Sequence, residues 1–254
     1  MLKSRVIPVL LMKDKGLVKS VNFVDHKYVG DPLNAVKIFN EKEVDELVFI
    51  DIDASAKNQE PDLSLVAKLA AECRMPLCYG GGIKTVQQAQ DILNLGVEKI
   101  AISSSFFSDE NLILQLVRQV GSQSVVIVLD AKKKRFSKSY ECFIHNASVN
   151  TKACPIESAI RAEQLGVGEI IINSIDNDGK MTGYNFDLIH KVKSKISVPV
   201  TALGGAGSYD DIKELVSREG LIGSAAGSLF VFKGKYRAVL INYPSGPEKN
   251  RLLD

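Results

Sequence analysis

Residues 76–105, PLCYGGGIKTVQQAQDILNLGVEKIAISSS, hold a short apolar run, a glycine triplet, an amphipathic stretch opened by Thr85, and a second apolar run closing on three serines. Residues 199–228, PVTALGGAGSYDDIKELVSREGLIGSAAGS, repeat that plan, with Ser208 where the first copy has Thr85. Each reads as strand, helix, strand, and each helix starts on a residue that caps free backbone amides. The strand runs are apolar throughout rather than alternating, as parallel strands covered on both faces are. The matching extends outward at a constant interval of 123 residues: Glu46 with Glu169, Asp53 with Asp176, Pro76 with Pro199, Gly82 with Gly205, Ser105 with Ser228. It breaks at Lys99, which falls opposite Ile222.

The same alternation runs along the whole chain. Strand-like runs fall at 5–11, 46–52, 75–79, 99–103, 124–130, 169–174, 198–203 and 221–226, with helical patterns at 62–72, 85–95, 109–120, 155–165, 186–194 and 208–216 between them. Eight β–α units in 254 residues predict a single (β/α)8 barrel domain over residues 1–254, built from two similar halves. A doubly wound open sheet is the competing arrangement, but no GxGxxG follows the first strand. Hydrophobic residues at 45% and charged residues at 24% exclude disorder, collagen and coiled coil. The 32 basic residues nearly cancel the 30 acidic ones, which argues against nucleic-acid binding by a bulk basic surface and leaves local phosphate sites open.

Four cysteines without CxxC spacing predict reduced thiols and a cytoplasmic protein. The opening MLKSRVIPVLLMKDKG places basic residues before apolar ones, but Pro8 interrupts the run and no small-residue cleavage site follows, so it reads as a buried first strand. No apolar run approaches the roughly 20 residues of a membrane span, and no membrane association is expected. The polar end INYPSGPEKNRLLD, with two prolines, is predicted to fray. His26, His145 and His190 are scattered, so no metal centre and no cofactor are expected, and no GxSxG nucleophile motif occurs.

Four loops carry the chemistry. Gly80-Gly81-Gly82 follows the third strand and Gly204-Gly205-Ala206-Gly207 the seventh, while Ser103-Ser104-Ser105 follows the fourth and Gly227-Ser228 the eighth. Glycines let backbone amides approach an oxyanion, and barrels bind phosphate at these loops of the second half. Two related cradles across one mouth predict a ligand with a phosphate at each end; tight βα turns are the plainer explanation of the same glycines. Asp130 ends the fifth strand, where barrels place catalytic groups, and is the carboxylate least easily explained as a helix cap. Asp51, Asp53, Asp176 and Asp178 each invite the capping explanation. Lys19, after the first strand, is a candidate clamp for a phosphate or reacting centre. At the opposite end Arg5, Glu46, Lys99 and Glu169 each begin a strand, either as ion pairs closing the barrel floor or as a gate admitting something small from beneath.

The stretches VIPVLLMKDKGLVKSVNF, GDPLNAVKIFNEKEVDELVFIDIDAS, YGGGIKTVQQAQ, GSQSVVIVLDA, GVGEIIINSIDNDGKMTGYN and GGAGS…AAGSLFVF, in this order, resemble the cyclase subunit of imidazole glycerol phosphate synthase along the whole chain. That resemblance implies a two-half (β/α)8 barrel that uses ammonia to turn a diphosphorylated substrate, phosphoribulosyl-formimino-aminoimidazole carboxamide ribonucleotide, into imidazole glycerol phosphate and aminoimidazole carboxamide ribonucleotide in histidine biosynthesis. It implies a glutaminase subunit docked on the barrel base near Glu98 and Gln123, releasing ammonia that travels through the barrel. Under it Arg5, Glu46, Lys99 and Glu169 match an ammonia gate and Asp130 matches one catalytic aspartate; Lys19, read from its place after the first strand, is the second catalytic candidate. Gly82, Ser103, Ser104, Asp178, Gly179, Gly205, Gly227 and Ser228 fall in its phosphate-binding loops.

One departure stands out. The family ends its first strand on a catalytic aspartate, in a pattern like IPCLDVKDG, and here IPVLLMKDKG puts Leu11 at that place. Serine replaces asparagine at Ser103, and residues 132–152 diverge. The chain is therefore similar to the cyclase paralogues that accompany surface-polysaccharide (lipopolysaccharide, O-antigen) gene sets, which the stretch IDASAKNQEPD also resembles. That likeness implies a barrel that pairs with a glutaminase and conducts ammonia to a separate sugar-amidinating enzyme. Two other readings compete: an authentic cyclase relying on Asp130 with a water or Asp51, and a phosphosugar isomerase, which has no use for a charged floor.

Overall fold

A computed structural model describes residues 3–135 and 137–253. Eight parallel strands form the central sheet: β1 (Arg5–Lys13), β2 (Leu47–Asp51), β3 (Leu77–Gly80), β4 (Lys99–Ile102), β5 (Val125–Lys133), β6 (Glu169–Ser174), β7 (Val200–Leu203) and β8 (Gly223–Ala226). Neighbours pair in sequence order, β8 pairs β1, and the sheet closes on itself as a (β/α)8 barrel. Its outer ring is α1 (Pro32–Glu41), α2 (Leu63–Glu72), α3 (Val86–Asn94), α4 (Glu110–Val120), α5 (Pro155–Gln164), α6 (Phe186–Lys193), α7 (Tyr209–Glu219) and α8 (Gly246–Leu253).

Local chemistry sets where these helices begin. Asp31, Asp62, Thr85, Asp109, Asn185 and Ser208 each accept the amide three residues on, and Thr85–Gln88 and Ser208–Asp211 complete capping boxes. The strand registers carry the internal repeat. Val48 pairs Cys78 and Phe49 pairs Tyr79 between β2 and β3, while Ile171 pairs Thr201 and Ile172 pairs Ala202 between β6 and β7, each 123 residues on. Two apolar layers result. Outward residues such as Phe49, Ile100 and Ile172 pack under the helices, while inward Ile7, Val9, Val48, Cys78, Ala101, Val126, Ile171 and Ala225 fill the barrel.

Several expectations need correction. The third, seventh and eighth strands start two residues later than their apolar runs, because Met75, Val198 and Leu221 belong to the turns that lead into them. Helix α1 was legible in Asp31-Pro32 but absent from the helical patterns above; its cap and first-turn proline are in place. Residues 241–253 are tied to the barrel instead of fraying; Asp254 lies outside the described residues. Tyr243 is buried and donates its hydroxyl to the Val6 carbonyl at 2.8 Å, Lys249 pairs with Asp45, and Leu252 is buried on α8. The polar composition of this tail conceals three anchors that a composition argument misses.

Two excursions leave the barrel at its mouth. After β1 the chain makes two antiparallel strands, Gly16–Val21 and Val24–Gly30, through two-residue turns at Asp14-Lys15 and Asn22-Phe23, all four with positive φ. After β5, Tyr140–Ile144 and Val149–Asn150 form a second hairpin.

Phe49 is fully buried and stacks on Tyr79. Phe49→Ala is expected to cost about 3–5 kcal/mol in urea unfolding. An unchanged midpoint would mean that this outer layer does not hold the barrel.

Candidate functional site

Because side chains alternate along a strand, inward positions fall in levels along the barrel axis. The lowest level is charged. Arg5 bridges Glu46 and Glu169, its Nη2 lying 2.8 Å from Glu169. Lys99 Nζ donates to both acids, at 2.9 Å to Glu46 and 2.8 Å to Glu169. The four side chains form a closed ring of alternating sign, pointing inward, and Thr201 Oγ1 adds a 2.6 Å bond to Glu169. Burial pushes the Glu46 carboxyl up, with Glu169 adding to it and the two cations opposing it. On Glu169 burial acts the same way, but Arg5, Lys99 and the Thr201 hydroxyl outweigh it and hold the carboxyl low. Glu98 and Gln123, both exposed, flank this end.

Above the ring the interior is apolar, and the residues at β3, β4 and β8 are small: Cys78, Ala101 and Ala225. Val9, Leu11, Val48, Ile50, Ala101, Val128, Ile171 and Leu203 line a cavity of about 1220 Å³, part of it open to solvent. Leu11 pairs with Ile50 on β2 and Val18 on the first hairpin, so an apolar side chain has apolar company there. Asp14 lies outside the cavity lining; its carboxylate accepts from Lys57 at 2.8 Å.

The polar groups gather at the mouth. Asp130 faces the cavity and accepts from Asn173 Nδ2 at 2.8 Å. Removal from bulk water, only partly offset by that bond, pushes its carboxyl up to about 7. Buried Lys19 donates to the Val9 carbonyl at 2.6 Å and shares the cavity with Asp178. Burial lowers the Lys19 ammonium and raises the Asp178 carboxyl, while their mutual attraction opposes both shifts. Asp51 also lines the cavity, but its Oδ1 is engaged as the cap of a short helix, Ile52–Ala56, accepting from Asp53 and Ala54. Asp53 is tied to Lys57 and Asp176 to the Lys133 amide, as capping or bracing groups.

The two cradles differ. Gly80, Gly81, Gly82, Ser103, Ser104 and Ser105 all line the cavity. Gly82 has φ +73°, and a Cβ there would stand 2.7 Å from the Gln59 carbonyl, so the backbone requires glycine. On the second side Gly227 and Ser228 line the cavity, while Gly179 and Gly205 do not. Gly179 is pressed against the Ser20 carbonyl and Gly205 against Gly183, where no side chain fits. Asn22 of the first hairpin donates to the Asp178 carbonyl at 3.0 Å, so this hairpin lies against the loop after β6.

Sequence reasoning missed the contribution of the hairpins. Phe23 and His26 from the first, and His145 and Asn146 from the second, reach the same cavity. Among the described residues no group of three or more His, Cys, Asp or Glu is placed to hold a metal ion, and no helix is long and apolar enough to cross a membrane. Three of the buried side-chain atoms without a hydrogen-bond partner, Ser103 Oγ, His145 Nδ1 and Asn173 Oδ1, belong to residues that line this one cavity. Water or a bound group can supply the partners that such buried atoms lack.

Residues 5–237 match the histidine biosynthesis protein family. The chain is 58% identical over 254 residues, all of it and 98% of the relative, to a Vibrio vulnificus protein provisionally named imidazole glycerol phosphate synthase subunit hisF3. It is 52% identical over 244 residues (96% of this chain, 97% of the relative) to a Pseudomonas aeruginosa protein provisionally named subunit hisF2. It is 38% identical over 230 residues (91% and 89%) to the Lactococcus lactis imidazole glycerol phosphate synthase subunit HisF.

Two predictions test this geometry. Arg5→Ala leaves two buried carboxylates with one cation and is expected to cost about 2–3 kcal/mol in chemical denaturation, discounted because the Arg5 side chain is 27% exposed. A neutral result would mean that the ring is loose. Asp130 is harder to ionise folded than unfolded, so its contribution to stability declines as pH rises from about 4 to about 7. Asp130→Asn is therefore expected to gain about 4 kcal/mol on the wild type between pH 4 and pH 8. Parallel pH profiles for the two proteins would contradict the raised carboxyl.

Proposed function

The chain belongs to the histidine biosynthesis protein family as a HisF-like cyclase subunit of imidazole glycerol phosphate synthase, and from that membership we propose that it is a conduit for ammonia whose own cyclisation chemistry is disabled. In this reading a glutaminase subunit docks at the N-terminal end of the barrel, beside Glu98 and Gln123. Ammonia passes the ring of Arg5, Glu46, Lys99 and Glu169 and moves between Cys78, Ala101 and Ala225. It leaves at the mouth for a separate enzyme that amidinates a sugar. An apolar passage suits this cargo, because neutral ammonia crosses it while ammonium would shed its hydration uncompensated.

The observation that carries the reading is Leu11. It ends the inward face of β1 beside Val9 and Ile50 in the cavity, at the place where the family resemblance expects a carboxylate. A leucine neither gives nor takes a proton, and loss of a positioned acid or base costs about 10²–10⁴ in rate. Asp14, committed to Lys57 outside the cavity, offers no replacement.

One observation favours an authentic cyclase instead. Asp130, with its carboxyl near 7 and its orientation fixed by Asn173, has what a general acid or base at neutral pH needs. Asp51 gives that reading little support, because its Oδ1 is engaged by two cap amides.

Steady-state turnover of the diphosphorylated substrate with ammonium salts separates the two. The wild-type chain is expected to run at least about 100-fold slower than Leu11→Asp, in line with the loss of one acid–base group. Wild-type turnover within tenfold of a HisF cyclase assayed in parallel would overturn the conduit reading in favour of the cyclase.

A further inference from the structure

The two hairpins reach across the mouth in opposite directions. The first, which follows β1, bonds to the loop after β6, and the second, which follows β5, bonds to the end of β2. The second contact is Asn146 Nδ2 to the Ile52 carbonyl at 2.9 Å, bridging residues 94 apart in the chain. Ile52 opens the short helix that carries Ser55, and Ser55 Oγ accepts the Gly82 amide at 3.2 Å. The tip of the second hairpin is thus fastened to the wall of the first glycine–serine cradle.

The residue before that fastening is His145. Its ring lines the cavity, and its Nδ1 is buried without a hydrogen-bond partner. His145, Asn146 and Ala147 all hold positive φ, at 53°, 56° and 60°, though none is glycine. Such backbone costs about 1–3 kcal/mol per residue and persists where a site requires it. A second orphan, Ser103 Oγ, ends β4 within the same cradle. One acceptor-rich group standing between Gly82, Ser103 and His145 would satisfy both.

We infer that His145 is a ligand-contacting residue of the first cradle, donating from Nδ1 to the phosphate end of a phosphorylated ligand and closing the cradle from the hairpin side. This rests on the first cradle being an anion site. Ser103 Oγ approaches the phosphate from the barrel, His145 approaches it from above, and Asn146 holds the tip in place, while the Gly82 amide, spent on Ser55 Oγ, fixes the cradle wall.

Titration of the full chain with inorganic phosphate, following the Gly82 and Gly227 amides by ¹H–¹⁵N NMR, tests this with one reporter per cradle. In the wild type the Gly82 amide is expected to shift saturably. His145→Ala should raise the midpoint at Gly82 about tenfold without moving that at Gly227, and His145→Gln should recover part of the loss. An unchanged Gly82 midpoint in His145→Ala, or equal weakening at both reporters, overturns the role of His145 while the cradle stands. A wild-type Gly82 amide that does not respond removes the cradle itself, and this inference with it. Retained dispersion of the remaining amides excludes unfolding as the cause.

Discussion

Two acids and two cations that face into one end of a closed sheet have little but each other to bind. Glu46 and Glu169 are nearly inaccessible, and the cations that reach them come from β1 and β4, on either side of the barrel. The cyclic arrangement gives every charge two partners of opposite sign. It does not make the ring a source of stability, since a well-packed apolar floor of similar volume is often as stable or more so.

The interior above the ring changes character in order. Charge gives way to apolar side chains, small at Cys78, Ala101 and Ala225 and larger at Ile7, Val48, Val126 and Ile171, and finally to the carboxylates, Lys19 and hydroxyls of the mouth. That gradient suits a small neutral species better than an ion, which would have to shed its hydration along the middle levels. Leu11 sits at the top of the apolar part. It adds an apolar side chain to the cavity lining, and the proposed function rests on that one residue.

Much of this was legible in the chain itself. Apolar runs marked the strands because both sheet faces are covered, and the fixed interval between halves survives as identical registers at Val48–Cys78 and Ile171–Thr201. The four floor charges could be read because each opens a strand. The hairpins escaped, since residues 16–30 and 140–150 are short, mixed in polarity and turned by Asp14-Lys15 and Asn22-Phe23 rather than by glycine. With them went the placing of His26 and His145, distant in sequence and brought to one cavity only by the way each hairpin folds over the mouth. Gly179 and Gly205 also serve close backbone approach, to Ser20 and Gly183, which no local pattern in the sequence announces.

Isotopic competition during transfer tests the central claim most directly. With barrel, glutaminase and sugar-amidinating enzyme combined, glutamine labelled with ¹⁵N at the amide would be supplied against excess unlabelled ammonium. Internal passage predicts product nitrogen drawn mainly from glutamine, falling to the bulk ratio when Ala225→Phe obstructs the interior above the ring. Product that already carries the bulk isotope ratio with the wild-type barrel would contradict the account.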